Sequence, residues 1–99
     1  MANNVKEAWK NGKAVVNGWL AIPNAFSAEM FSQCGWDSVT VDMQHGVQDY
    51  LSCVSCFQGI AASGSGATPM VRVPWGGYLL YCTSRAASSG VLTIGQITP

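Results

Sequence analysis

From Trp36 to Val41 the chain alternates apolar and polar side chains, the two-residue period of a β-strand. The alternation then breaks into Asp42-Met43-Gln44-His45-Gly46, three polar groups and a glycine at the end of a strand that reads as buried. Loops at such strand ends are where α/β folds usually hold their sites. On either side the pattern changes period. Asn4, with Glu7 three residues on, predicts a short capped helix stopped by Asn11-Gly12. Val15-Val16-Asn17-Gly18-Trp19-Leu20-Ala21-Ile22 reads as a first strand closed by Pro23, and Asn24 then caps a helix running through Cys34 to Gly35. Asp49 caps a further helix in which Val47, Tyr50, Leu51, Val54, Phe57 and Ala61 recur at spacings of three and four, which predicts its apolar face. Ser63-Gly64-Ser65-Gly66 ends that helix, and Pro69-Met70-Val71-Arg72-Val73 is a third strand before Pro74. The order strand, helix, strand, helix, strand implies an α/β fold with a parallel sheet and right-handed crossovers. The inward face of that sheet is expected to carry the residues around Val39 and Val41. Beyond Trp75 neither period is clean, although Val91-Leu92-Thr93-Ile94 fits one more strand.

Composition narrows the partners. Ninety-nine residues make one domain or part of one, with a necessarily thin core. Five Lys+Arg balance five Asp+Glu, which argues against nucleic acid and against an anionic membrane surface. A small molecule or another protein chain is the expected partner. At 48% hydrophobic the chain is too apolar for disorder, and its uncharged tract after Arg85 is broken by Ser, Gly and Gln, so no membrane span is expected. The first residues lack the apolar run of a signal peptide, so a cytoplasmic location is expected, with Cys34, Cys53, Cys56 and Cys82 as reduced thiols. Cys53-Val54-Ser55-Cys56 lies inside a predicted helix and lacks the further ligands a zinc or redox site needs.

The candidate chemistry gathers at strand ends. Trp19, Asp42 and Arg72 fall at or near the ends of the three predicted strands, and His45 follows Asp42 by three residues. Each has a structural reading as well: a histidine after a strand serves in turns and caps, an arginine in an apolar strand guards an edge against aggregation, and tryptophans line cores or pockets.

Gly18-Trp19-Leu20, Phe26-Ser27-Ala28-Glu29, Gly35 through Gly46 and Val71-Arg72-Val73-Pro74-Trp75 together resemble consecutive motifs of the HpcH/HpaI aldolase/citrate lyase family, over roughly residues 5 to 75. The resemblance implies a class II, metal-dependent pyruvate aldolase: a (β/α)8 TIM barrel cleaving 2-oxo-4-hydroxy acids to pyruvate and an aldehyde. Such barrels need about 250 residues, so the expectation is an N-terminal fragment of about three βα units (1–75) with a divergent or frame-shifted tail (76–99). By the same resemblance His45 matches the acid/base histidine, Asp42 the acidic residue beside it, Arg72 the arginine that stabilises the enolate oxygen, and Trp19 an aromatic wall of the pocket. The family cofactor is a divalent metal (Mg, Mn or Co), and its partners are a 2-oxo acid substrate and further copies of itself.

The sequence also departs from the family. Gly76-Gly77-Tyr78 stands where Asn-Asp-Pro or Gly-Asp-Pro should follow Trp75, and Arg85-Ala86-Ala87 only faintly echoes Leu-Asp-Ala-Gly-Ala. The resemblance places the metal ligands, a Glu and an Asp, beyond Pro99, and no acidic residue follows Asp49. Two expectations follow: an aldolase incomplete and inactive as these 99 residues, or a non-catalytic barrel fragment that acts only by associating with another chain.

Overall fold

A computed structural model describes residues 3–73 throughout and the backbone of Leu92–Gly95. The elements in chain order are α1 (Asn4–Lys10), β1 (Asn17–Leu20), α2 (Ala25–Ser32), β2 (Ser38–Asp42), α3 (Tyr50–Ala62), β3 (Thr68–Val73) and β4 (Leu92–Gly95). The four strands form one sheet in the order β1-β2-β3-β4, every pair parallel. The sequence placed three strands firmly and left 91–94 open; the fourth is present, shifted by one residue and hydrogen-bonded to β3. The rest of the tail lies outside the described residues.

Two helix starts show how local chemistry sets boundaries. Asn3, not Asn4, caps α1: its side chain accepts from the Lys6 amide at 3.1 Å. Asn4 instead donates to the Gly66 carbonyl at 3.3 Å, tying α1 to the loop before β3. Asp49 caps α3 as expected, its Oδ1 accepting from the Ser52 amide while Ser52 Oγ accepts from the Asp49 amide, both at 2.8 Å. This reciprocal pair satisfies two backbone donors.

α3 buries a different face from the one its bulky residues predict. Cys53, Cys56, Gly59 and Ile60 are buried, Val54 and Phe57 are half-buried, and Tyr50, Leu51 and Ala61 are exposed, as is Val47 before the helix. The reason is the close approach of α2. A Cβ on Gly59 would lie 2.1 Å from the Ala25 carbonyl oxygen, so only a small-residue face lets the two backbones meet. The helices cover one face of the sheet, where Leu20, Val39, Val41, Val71 and Val73 pack with Ala28, Cys53, Cys56 and Ile60.

Val39 and Val41 thus point at the helices, which corrects the expectation that they line the inward face. That face carries polar groups. Asn17 Oδ1 accepts from Ser38 Oγ at 2.7 Å and from Thr40 Oγ1 at 2.9 Å, so two buried hydroxyls are satisfied across the β1–β2 seam. Trp19, Asp42 and Arg72 continue the same face toward the carboxyl ends of the strands.

Candidate functional site

Asp42 is the last residue of β2, and the register sets it directly beside Arg72 on β3. Side chains directly opposite on neighbouring strands share a face, and here that adjacency becomes a two-bonded ion pair. Arg72 Nε donates to Asp42 Oδ1 at 2.9 Å and Nη2 to Oδ2 at 2.5 Å. Paired N–H donors fix the guanidinium plane as a single point charge does not. From β1, Trp19 Nε1 donates to Oδ2 at 3.2 Å, and the Arg72 guanidinium carbon lies 4.9 Å from the centre of the Trp19 ring. The stack adds a cation–π attraction to the hydrogen bonds.

The loop after β2 is held by the same carboxylate. The amides of Gln44 and His45 donate to Asp42 Oδ1 at 3.0 and 3.3 Å. Asp42 is buried, and its two oxygens receive five donors from two neighbouring strands and a loop. Burial alone pushes its pKa up, but the bonds from Arg72, the two amides and Trp19 outweigh it and hold the carboxyl at about 2. The Asp42 carboxylate in turn raises the pKa of Arg72. An ionised Asp42 is therefore the centre of a corner rather than a proton donor.

The structure brings together three of the four residues that the sequence singled out, Trp19, Asp42 and Arg72. His45 is joined to them only through its backbone amide; as a residue it is exposed. Two further residues belong to the corner and were given no role from sequence. Asn17 closes the polar face below Trp19, a position its two-residue offset from Trp19 signals. Gln44 lies within the quoted motif, and its side-chain Oε1 is buried with no partner among the described residues.

A divalent metal does not fit this corner. Among the described residues no three His, Cys, Asp or Glu side chains cluster to hold one, and the lone pairs of Asp42 are already engaged. Cys53 and Cys56 are buried on the face of α3 that packs on the sheet, among apolar side chains. Burial, then the nearby Cys56, pushes the Cys53 thiol up to about 12, and burial raises Cys56. Among the described residues no helix is long and apolar enough to cross a membrane.

No family model matches the chain. It is 34% identical over 70 residues to a hydroxypyruvate/pyruvate aldolase of Rhizorhabdus wittichii, covering 71% of this chain and 27% of that protein. It is 32% identical over 75 residues to a 4-hydroxy-2-oxo-heptane-1,7-dioate aldolase of Salmonella dublin, covering 76% of this chain and 28% of that protein. The chain thus spans little more than a quarter of the length of these curated relatives. Among solved structures, a HpcH/HpaI aldolase/citrate lyase family protein from Burkholderia cenocepacia superposes with a TM-score of 0.78 at 29% identity, over 86% of this chain and 34% of that one. The parallel sheet in sequence order, with helices on one face and a polar inward face, is an arc of a (β/α)8 barrel. By its strands, its strand-end residues and these relatives, the chain belongs to the HpcH/HpaI aldolase/citrate lyase family, as an N-terminal part of that barrel.

Proposed function

We propose that this chain carries the first part of an aldolase site that cleaves 2-oxo-4-hydroxy acids to pyruvate, or a pyruvate-like fragment, and an aldehyde. The observation that supports it best is the guanidinium of Arg72, locked by Asp42 over Trp19 at the carboxyl ends of the strands. Barrel enzymes place their chemistry at that end. In retro-aldol cleavage His45 takes the proton of the C4 hydroxyl, the C3–C4 bond breaks, and its electron pair passes to the C2 oxygen as an enolate. Imidazole suits the proton step because it titrates near neutrality. Arg72 meets the charge as it develops on that oxygen, with N–H groups held in place before the reaction begins. Asp42 positions Arg72 and the His45 loop, and Trp19 walls the pocket. Protonation of the enolate at C3 then releases pyruvate. The divalent metal implied by the resemblance finds no ligand set among the described residues, so no step here is routed through it.

The test joins residues 1–73 to the remaining barrel of the Burkholderia cenocepacia relative, with folding verified by circular dichroism. The chimera is expected to release pyruvate from 4-hydroxy-2-oxo-heptane-1,7-dioate with added manganese or magnesium. His45→Ala is expected to lower turnover by roughly 100-fold or more. Near-normal turnover in His45→Ala would show that the role was transferred wrongly.

A further inference from the structure

Gln48, the residue before the α3 cap Asp49, is only 7% exposed and takes no part in the Asp42–Arg72 corner. Both ends of its side chain are engaged. Nε2 donates to the Ile22 carbonyl at 2.9 Å, and Oε1 accepts from Ser52 Oγ at 2.6 Å, while Ser52 Oγ itself accepts from the Asp49 amide at 2.8 Å. A carbonyl only accepts, so the amide has one orientation here, nitrogen toward Ile22 and oxygen toward the Ser52 hydroxyl. Ile22 stands in the loop between β1 and α2, just beyond the strand that carries Trp19. Cys56 Sγ packs against the bridge, 3.7 Å from both Gln48 Nε2 and the Ile22 carbonyl oxygen.

The loop after β2 is thus held at both ends. Upstream, the Met43 amide donates to the Arg72 carbonyl at 2.9 Å, and the Gln44 and His45 amides donate to Asp42. Downstream stands Gln48. Between these anchors lie Gly46 and Val47, both exposed, and Gly46 turns the chain at a φ of 120°, a conformation that favours glycine. We infer that Gln48 is a positioning residue for His45: by hooking the loop after β2 onto the loop after β1, it fixes the His45 backbone against the Trp19–Arg72 corner. Glutamine suits the place because its amide offers a donor for the Ile22 carbonyl and an acceptor for the Ser52 hydroxyl on one short stem. A loop tied at both ends is ordered before any substrate arrives, which is what a proton-transferring side chain needs. The inference rests on the role proposed above for His45.

Backbone order parameters of the 99-residue chain, measured by nitrogen relaxation in NMR, test the hook itself. In wild type His45, Gly46 and Val47 are expected to be as rigid as β2, at about 0.85, and Gln48→Met, which keeps the length and loses both bonds, is expected to drop them below about 0.6 with β2 unchanged. Gly59→Ala, a destabilising change at the α2–α3 contact, is the structural control and is expected to leave the loop rigid. In the chimeric enzyme Gln48→Met is expected to lower kcat for retro-aldol cleavage by about 10- to 100-fold with KM unchanged, because the Trp19–Arg72 corner keeps its own bonds. Gly59→Ala is expected to change neither constant. A loop already mobile in wild type, a loop as rigid in Gln48→Met as in wild type, or a Gln48→Met chimera that keeps its kcat would each overturn the inference. His45→Ala separates the two failures: if it too cleaves normally, the aldolase role of His45 has failed and that of Gln48 with it, whereas a disabled His45→Ala beside a fully active Gln48→Met removes the role of Gln48 alone.

Discussion

Replacing Asp42 with Asn removes the charge at the centre of the corner while keeping its shape. In the folded chain the carboxyl is held at about 2 against an ordinary value of 3.8. Each tenfold change in proton affinity is worth about 1.4 kcal/mol, so the ionised form stabilises the fold by about 2 kcal/mol at neutral pH. The sign follows from the direction of the shift. A carboxyl whose pKa is depressed by folding contributes fully above its unfolded value and loses that contribution as pH falls from about 4 to about 2. In a chain of this size about 2 kcal/mol corresponds to roughly 10 °C in melting temperature. The assay is thermal unfolding of wild type and Asp42→Asn across that pH range, at one fixed protein concentration because association also shifts a melt. The two melts are expected to lie about 10 °C apart at neutral pH and to converge toward pH 2. The other carboxyls are common to both proteins and cancel in the difference. A gap below about 2 °C at neutral pH, or one that does not close on acidification, would refute the assignment of Asp42 as the ionised centre.

Gly59→Ala should gain about 1 kcal/mol of helix propensity but lose more, because its Cβ meets the Ala25 carbonyl, a backbone group that cannot rotate away; a net loss of about 1–3 kcal/mol is expected. A raised denaturant midpoint would contradict the α2–α3 contact. Asp49→Ala should cost about 1 kcal/mol through loss of the reciprocal cap on α3, and an unchanged urea midpoint would argue that the cap is not formed. Cys53, with its thiol pushed up to about 12, should stay unmodified by iodoacetamide in the native chain while exposed Cys34 reacts; equal labelling of the two by peptide mapping would show that α3 opens readily.

The elements were legible because period and caps agree. The alternation before Asp42, Asn24 and Asp49 at helix starts, and Gly35 after α2 each carry their own local reason. Where the sequence misled, two options were locally equivalent. Asn3 and Asn4 have the same capping chemistry, and only the Gly66 carbonyl engaging Asn4 separates them. All five residues of β2 are buried, so burial of valine does not distinguish the helix side from the inward side. The inward side is decided by Asn17, a residue 21 positions from Ser38. α3 misled because bulk was read as burial, whereas contact with α2 selects Gly59 and the cysteines. The site was legible as a set of strand-end residues. The Asp42–Arg72 pair, 30 residues apart, exists only through the β2–β3 register. No local pattern states it.

The central claim is that Asp42 acts through Arg72 in an aldolase site, and a double-mutant cycle on the chimeric enzyme tests it most directly. Asp42→Asn, Arg72→Lys and the double variant are compared by kcat/KM for retro-aldol cleavage, with each variant checked for folding. Both single variants are expected to lose activity, since a lysine does not reproduce the planar fork and an unheld arginine loses its aim. The double variant is expected to be no worse than the poorer single variant, because the second change removes nothing the first has left working. Losses that multiply in the double variant would mean that the two residues act independently, and would contradict the account.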